Sequence, residues 1–230
     1  MKKEQTYIDK LKALVYNHIS EDINENTIEK IVDIDLVRSH IEDVKSANFQ
    51  SYYFETLNNE EHFFQTDNFF KKFKKEYALQ GIDNNFLDKL ESRKKSVLND
   101  IRGDKLVKLY FENFHKVLIK HGKGLKEKDL GSFFTKLIHT FQPNEYCALD
   151  NPIKNYFKLE KESFFLSFLI ISAEYKHWAT DNRKFIQEIK TRFKQMDKQG
   201  IIEHERITDL KLLDLIFWSK ANRKWKESTT

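Results

Sequence analysis

Lys136, His139 and Asp150 stand close together within residues 135–157, TKLIHTFQPNEYCALDNPIKNYF, a stretch that also holds both prolines and the single cysteine of the chain. A lysine amine with a nearby carboxylate is the minimal set for imine chemistry at a sugar C1′. The amine attacks, and the carboxylate stabilises the developing cation or moves protons. On a helix over 130–141, Leu130, Phe133, Phe134, Leu137 and Phe141 define the buried face. Lys136 then lies about a quarter turn from its centre and His139 near the opposite side. Asp150 follows a proline-containing loop that can fold back on this helix. A second reading needs no chemistry. Asp-Asn-Pro is a good helix start, so Asp150 would cap a helix opening at Pro152 and Lys136 would sit on a solvated face.

Other residues carry weaker signals. Residues 69–75, FFKKFKK, interleave phenylalanines with Lys71, Lys72, Lys74 and Lys75, and Arg93 and Lys94 add charge in the next segment. Such groups can hold phosphates by counterion release, with aromatics stacking on exposed bases. Equally, this is the pattern of an amphipathic helix with core aromatics and wet lysines. Eight histidines include no H-E-x-x-H pair, and one cysteine supports neither a disulfide framework nor a cysteine zinc site, so no metal or cofactor is expected. Cys147 in an apolar loop reads as buried and inert.

The elements that must position these residues are helices. In 230 residues there are only 6 glycines and 2 prolines, too few for a fold of many short strands. Helical periodicity recurs along the chain: Ile8, Leu11, Val15 and Ile19; a helix over 63–79 with Phe69, Phe70, Phe73 and Tyr77 on one side; 84–101; 104–121; 130–141; 163–178; 182–199; and 209–220. The expectation is an all-α single domain over 1–230 with about nine or ten helices. Residues 1–66 carry 7 Lys/Arg against 13 Asp/Glu, while 67–230 carry 33 against 23. An acidic N-terminal portion packed on a basic body follows from that asymmetry. The longest apolar run, 164–172, is far short of the roughly 20 residues a membrane span needs. The residues MKKEQTYIDK hold no leader-like apolar run, and the expected compartment is a reducing cytoplasm.

The pattern of Thr135, Lys136, His139, Pro143, Tyr146 and Asp150 resembles uncharacterised helical proteins related to the helix-hairpin-helix DNA glycosylase superfamily. There a Ser/Thr-Lys helix leads through a proline to an aspartate opening the next helix. Residues 212–218, LLDLIFW, are similar to a closing helix of such proteins, and the resemblance covers about residues 104–220. It implies a compact glycosylase-like fold, DNA as partner, and a base–sugar bond as target. Lys136 and Asp150 would be catalytic, with His139, Pro143 and Tyr146 at the pocket. This chain departs from the superfamily before the lysine. Gly122, Gly124 and Gly131 do not make the usual glycine-rich hairpin, and residues 79–90 put Asp83 where a second glycine would stand. The alternatives are a non-catalytic helical protein–protein interaction module, for which the central motif is only a corner, and a nucleic-acid-binding accessory protein.

Overall fold

The computed structural model describes residues 6–121 and 124–229. Gly122 therefore lies outside the described residues. The described residues form thirteen α-helices, one π-helical segment and a two-stranded antiparallel hairpin, so the fold is all-α. The N-terminal part comprises α1 (Tyr7–Asp22), α2 (Ile28–Lys30), the π-helical segment (Ile31–Glu42), α3 (Val44–Thr56) and α4 (Glu60–Gln65). The chain continues through α5 (Phe69–Glu76), α6 (Asn84–Glu91), α7 (Lys94–Arg102), α8 (Leu106–Asn113), β1 (Val117–His121) and β2 (Gly124–Lys128). Then come α9 (Gly131–Phe141), α10 (Asn151–Tyr156), α11 (Phe164–Asp181), α12 (Arg183–Met196) and α13 (Asp209–Thr229).

The helix count exceeds the expected nine or ten because apolar periodicity runs across breaks that capping decides. Residues 63–79 split at Asn68, which takes a left-handed φ of 54°. Both Glu91 carboxylate oxygens accept the amide N–H groups of Phe69 and Phe70 at 3.2 Å, so a side chain from α6 starts α5 afresh. Residues 84–101 divide likewise into α6 and α7.

The expected helix over 104–121 is corrected more deeply. It stops at Asn113, Lys116 takes a left-handed φ of 48°, and the chain leaves as β1. Val117 pairs with Lys128 and Ile119 with Lys126. Ile119 is buried while Leu118 is exposed, which is the period of a strand.

α9 lies in the centre of the molecule. Apart from Ser132 and Lys136, residues 131–141 are buried. Aromatic rings close around it, with Phe133 5.2 Å from Phe73 and 5.8 Å from Phe114, and Phe134 5.0 Å from Tyr110. Asp129 organises its start: the carboxylate accepts the Gly131 N–H at 2.8 Å as well as the Tyr110 hydroxyl and the His115 ring nitrogen. α13 crosses beside it, packed on α10, α11 and the π-helical segment. The π register turns polar residues toward α13: His40 Nε2 donates to the Leu215 carbonyl at 3.0 Å, and Asp35 accepts from Ser219 at 3.0 Å and pairs with Arg223. α1 packs along α11. Arg192–Glu29 at 3.5 Å and Arg102–Glu60 at 2.8 Å join basic residues of the later chain to the acidic first third.

Gly131 is required by close approach. A Cβ there would meet the Phe164 ring at 2.4 Å, whereas a Cβ on Gly124 would meet nothing within 4 Å. Gly131→Ala is therefore expected to cost roughly 1–3 kcal/mol in urea unfolding, with Gly124→Ala near neutral. Equal stability of the two variants would refute the packing argument.

Candidate functional site

Lys136 is one of two half-buried residues of α9, with Ser132 one turn before it. Its side chain is only 13% exposed, and its ammonium donates to Ser132 Oγ at 2.8 Å, one turn earlier. Asp150 Oδ2 lies 3.9 Å from Lys136 Nζ. The other oxygen, Oδ1, accepts the Ile153 N–H at 3.1 Å and caps α10, with Pro152 in the first turn. Asp150 thus caps α10 and also lies beside Lys136, which is not on an open face. Burial lowers the proton affinity of Lys136, and Asp150 and Asp214 partly counter that by attraction.

The loop between α9 and α10 carries Pro143, Tyr146, Cys147 and Asp150. Pro143, Cys147 and Leu149 are buried, so the backbone polar groups about them need partners. They find them on side chains of three helices. The Pro143 carbonyl accepts from Thr208 Oγ1 at 3.0 Å, and the Tyr146 carbonyl lies 2.7 Å from His139 Nδ1. The Cys147 N–H donates to Ser172 Oγ at 3.0 Å and the Ala148 N–H to Asp214 Oδ2 at 2.8 Å. The Leu149 carbonyl accepts from Thr135 Oγ1 at 2.7 Å. Buried in this frame, the Cys147 thiol is pushed up in pKa, away from the thiolate a nucleophile needs.

His139 is fully buried, not near a solvated side. A carbonyl can only accept, so Nδ1 carries the proton toward Tyr146, and Nε2 accepts from the Tyr53 hydroxyl at 2.9 Å. The ring is neutral, with its pKa lowered to about 3, first by burial and then by the nearby Lys211 charge. His139 fastens the loop to α9 and α3. Tyr146 stacks on Phe168 at 5.3 Å and donates its hydroxyl to Asp104 at 2.8 Å, with its pKa raised to about 12 by burial and that bond.

Sequence reading missed Lys211 and Asp214. They stand three apart on α13, on one face. Asp214 is buried beneath the loop and Lys211 lies with its ammonium 4.0 Å from the centre of the Tyr53 ring. Burial lowers Lys211 to about 8 and raises Asp214 to about 7. Their only signal in the sequence was two charges inside the apolar run of 210–217.

The residues expected at a nucleic-acid surface are largely engaged within the fold. Lys71 pairs with Asp88 at 2.7 Å, Lys72 lies 3.8 Å from Glu55, and Lys74 donates to the Ile82 carbonyl. Arg93 binds Asn113 at 2.8 Å and Lys94 the Thr66 carbonyl at 2.7 Å, while Lys75 is exposed. Gly131 spends its amide on Asp129, and Lys128 of the hairpin donates to the Gln80 carbonyl at 2.6 Å and also reaches that of Gly81. A recess of about 490 Å³ borders the loop at Asn144, rimmed by Lys176, Arg183, Lys190 and Arg206 together with Asp209, and its lining does not include Lys136 or Asp150.

Among the described residues no group of three or more His, Cys, Asp or Glu side chains could hold a metal ion, and no helix is long and apolar enough to cross a membrane. Comparison with family models, curated proteins and solved structures finds no match for this chain.

The buried neutral His139 makes one stability contribution pH-dependent. Its folded pKa lies below the ordinary 6.5, so the contribution is complete above about pH 6.5 and is lost as pH falls toward about 3. Asp35 and Asp214, raised by burial, act in the opposite sense, so a difference measurement isolates the histidine. The destabilisation caused by His139→Gln at about pH 7 should shrink by about 2 kcal/mol at about pH 5 in urea melts. A difference that stays constant with pH would contradict the neutral, loop-fastening histidine.

Proposed function

We propose that this chain acts on DNA and cleaves a base–sugar bond, with Lys136 as attacking amine and Asp150 as its carboxylate partner. The observation that carries this reading is the enclosed pair itself: an ammonium weakened by burial, held by Ser132 at 2.8 Å, with a carboxylate oxygen at 3.9 Å. A lysine of lowered proton affinity presents the free amine that imine chemistry requires. The amine lone pair bonds to C1′, the electrons of the C1′–N bond leave with the base, and the base takes up a proton. The sugar ring then opens to the imine, while Asp150 offsets the developing positive charge. A base must leave the stack to bring its C1′ to so enclosed an amine. The resemblance of Thr135, Lys136, His139, Pro143, Tyr146 and Asp150 to uncharacterised helical proteins related to the helix-hairpin-helix DNA glycosylase superfamily points the same way.

A different observation favours the alternative, a non-catalytic helical module that binds another protein. Asp150 also caps α10, and Lys71, Lys74, Arg93 and Lys94 brace the turns between α4 and α8. On that reading the Lys136–Asp150 pair is a corner joining two helices.

An oligonucleotide carrying an abasic site, treated with borohydride, separates the two. The glycosylase-like reading expects a covalent adduct mapped to Lys136 by mass spectrometry and absent from Lys136→Ala. Asp150→Asn keeps the helix cap, because asparagine caps as well as aspartate, yet should slow trapping by roughly 10²-fold. Absence of an adduct, or an adduct that persists in Lys136→Ala, would leave the interaction module standing.

A further inference from the structure

In the recess beside Asn144, cations outnumber the carboxylates that face them. α11 brings Lys176, α12 brings Arg183 and Lys190, and the loop before α13 brings Arg206, against the carboxylates of Asp209 and Glu205. Both oxygens of Asp209 are taken. Lys190 Nζ lies 2.6 Å from Oδ1, and the Arg183 guanidinium lies 2.7 Å from Oδ2. One negative charge thus serves two positive ones. The Lys190 ammonium also donates to the Ile207 carbonyl at 3.0 Å, which fixes it in the wall of the recess. Glu205 is exposed and is spent on Lys194, at 2.6 Å, which is not part of the lining. Lys176 and Arg206 pair with Glu145 at 2.6 Å and Glu203 at 2.8 Å, both exposed and both outside the lining. Exposed pairs of this kind contribute little to stability, so these two cations can turn to a ligand at small cost.

We propose that this recess is an anion site that takes a phosphate group, carried either by a nucleic-acid strand or by a free small molecule. Asp209 shows how an oxyanion sits there, with a guanidinium on one oxygen and an ammonium on the other. A phosphate brings more oxygens and more charge than that carboxylate, and Lys176 and Arg206 on the rim can meet them. Guanidinium groups match phosphate in geometry as well as in charge. α13 opens at Asp209, so the positive end of that helix adds to the field. The volume of about 490 Å³ lies in the range of clefts that hold small ligands. Lys136 and Asp150 do not line the recess, and the site does not depend on the reaction proposed for them. It does border the same loop. Asn144 lines it, and Thr208 Oγ1 ties the start of α13 to the Pro143 carbonyl at 3.0 Å, so a phosphate held there lies against the loop that carries Asp150.

The test is calorimetric titration of the full chain with inorganic phosphate and, separately, with a short single-stranded oligonucleotide, at an ionic strength held constant with chloride. Asp209→Asn removes the carboxylate that competes for Arg183 and Lys190, and it should tighten binding by roughly tenfold. Arg183→Gln should weaken binding by a similar factor. A side chain that only braced the fold would not improve binding on losing its charge. Glu127→Gln, at an exposed position of β2 outside the recess, makes the same change in net charge and should leave binding as in wild type. Circular dichroism checks that each variant folds, and Arg183→Gln, whose side chain is 66% exposed, decides the matter if Asp209→Asn does not. Oligonucleotide binding that follows the two recess variants supports the site and makes a strand the source of the phosphate. Inorganic phosphate binding that follows them, without oligonucleotide binding, supports the site and makes a free molecule the source. Binding of neither probe, affinities that are the same in wild type and both recess variants, or a gain in Glu127→Gln equal to that in Asp209→Asn overturns the inference.

Discussion

The site depends on satisfying a buried loop. The chain between α9 and α10 is buried at Pro143, Cys147 and Leu149, where a peptide group without a partner costs about as much as a lost hydrogen bond. Helix and sheet ladders cannot supply those partners to an irregular segment, so side chains do. Thr135 and His139 reach the loop from α9, Ser172 from α11, Asp214 from α13, and Thr208 from the start of α13. Each bond fixes a helix to the loop, and together they fix the helices to one another. Lys136 and Asp150 meet because the loop between them has one path.

The same arrangement creates the electrostatics. Holding the loop inside requires buried polar side chains, and these form a dry cluster holding Lys136, Asp150, Lys211 and Asp214, two cations and two anions. Charges so placed are costly, and Lys136, Lys211 and Asp214 shift toward their neutral forms. The histidine at the centre escapes the cost by staying neutral, with one ring nitrogen donating and the other accepting. The lysines of α5 to α7 follow the other rule. They spend their charge on carbonyls and carboxylates near the ends of the short helices.

Much of the fold was legible because helical periodicity is a local signal. The stripe of Leu11, Val15 and Ile19 is buried as its spacing implied, and so are Phe69, Phe70 and Phe73. What local pattern could not convey was where one helix stops and another starts. Glu91 restarts α5 from 21 and 22 residues away, a partner that no window of sequence contains. Residues 117–121 satisfied a helical stripe and became a strand, because short apolar runs fit either period and only pairing with 124–128 decides between them.

The candidate site divides along the same line. The sequence by itself determined that Lys136 follows an apolar helix face, that a proline ends that helix, and that Asp150 opens the next one. Those are capping and periodicity, and both act over a few residues. Tertiary structure alone decided that Lys136 is enclosed, that His139 is a neutral fastener, and that Lys211 and Asp214 belong with them. Burial and long-range partners govern proton affinity, and both are set by helices 60 or more residues apart in the chain, whose meeting place is a property of the packed molecule.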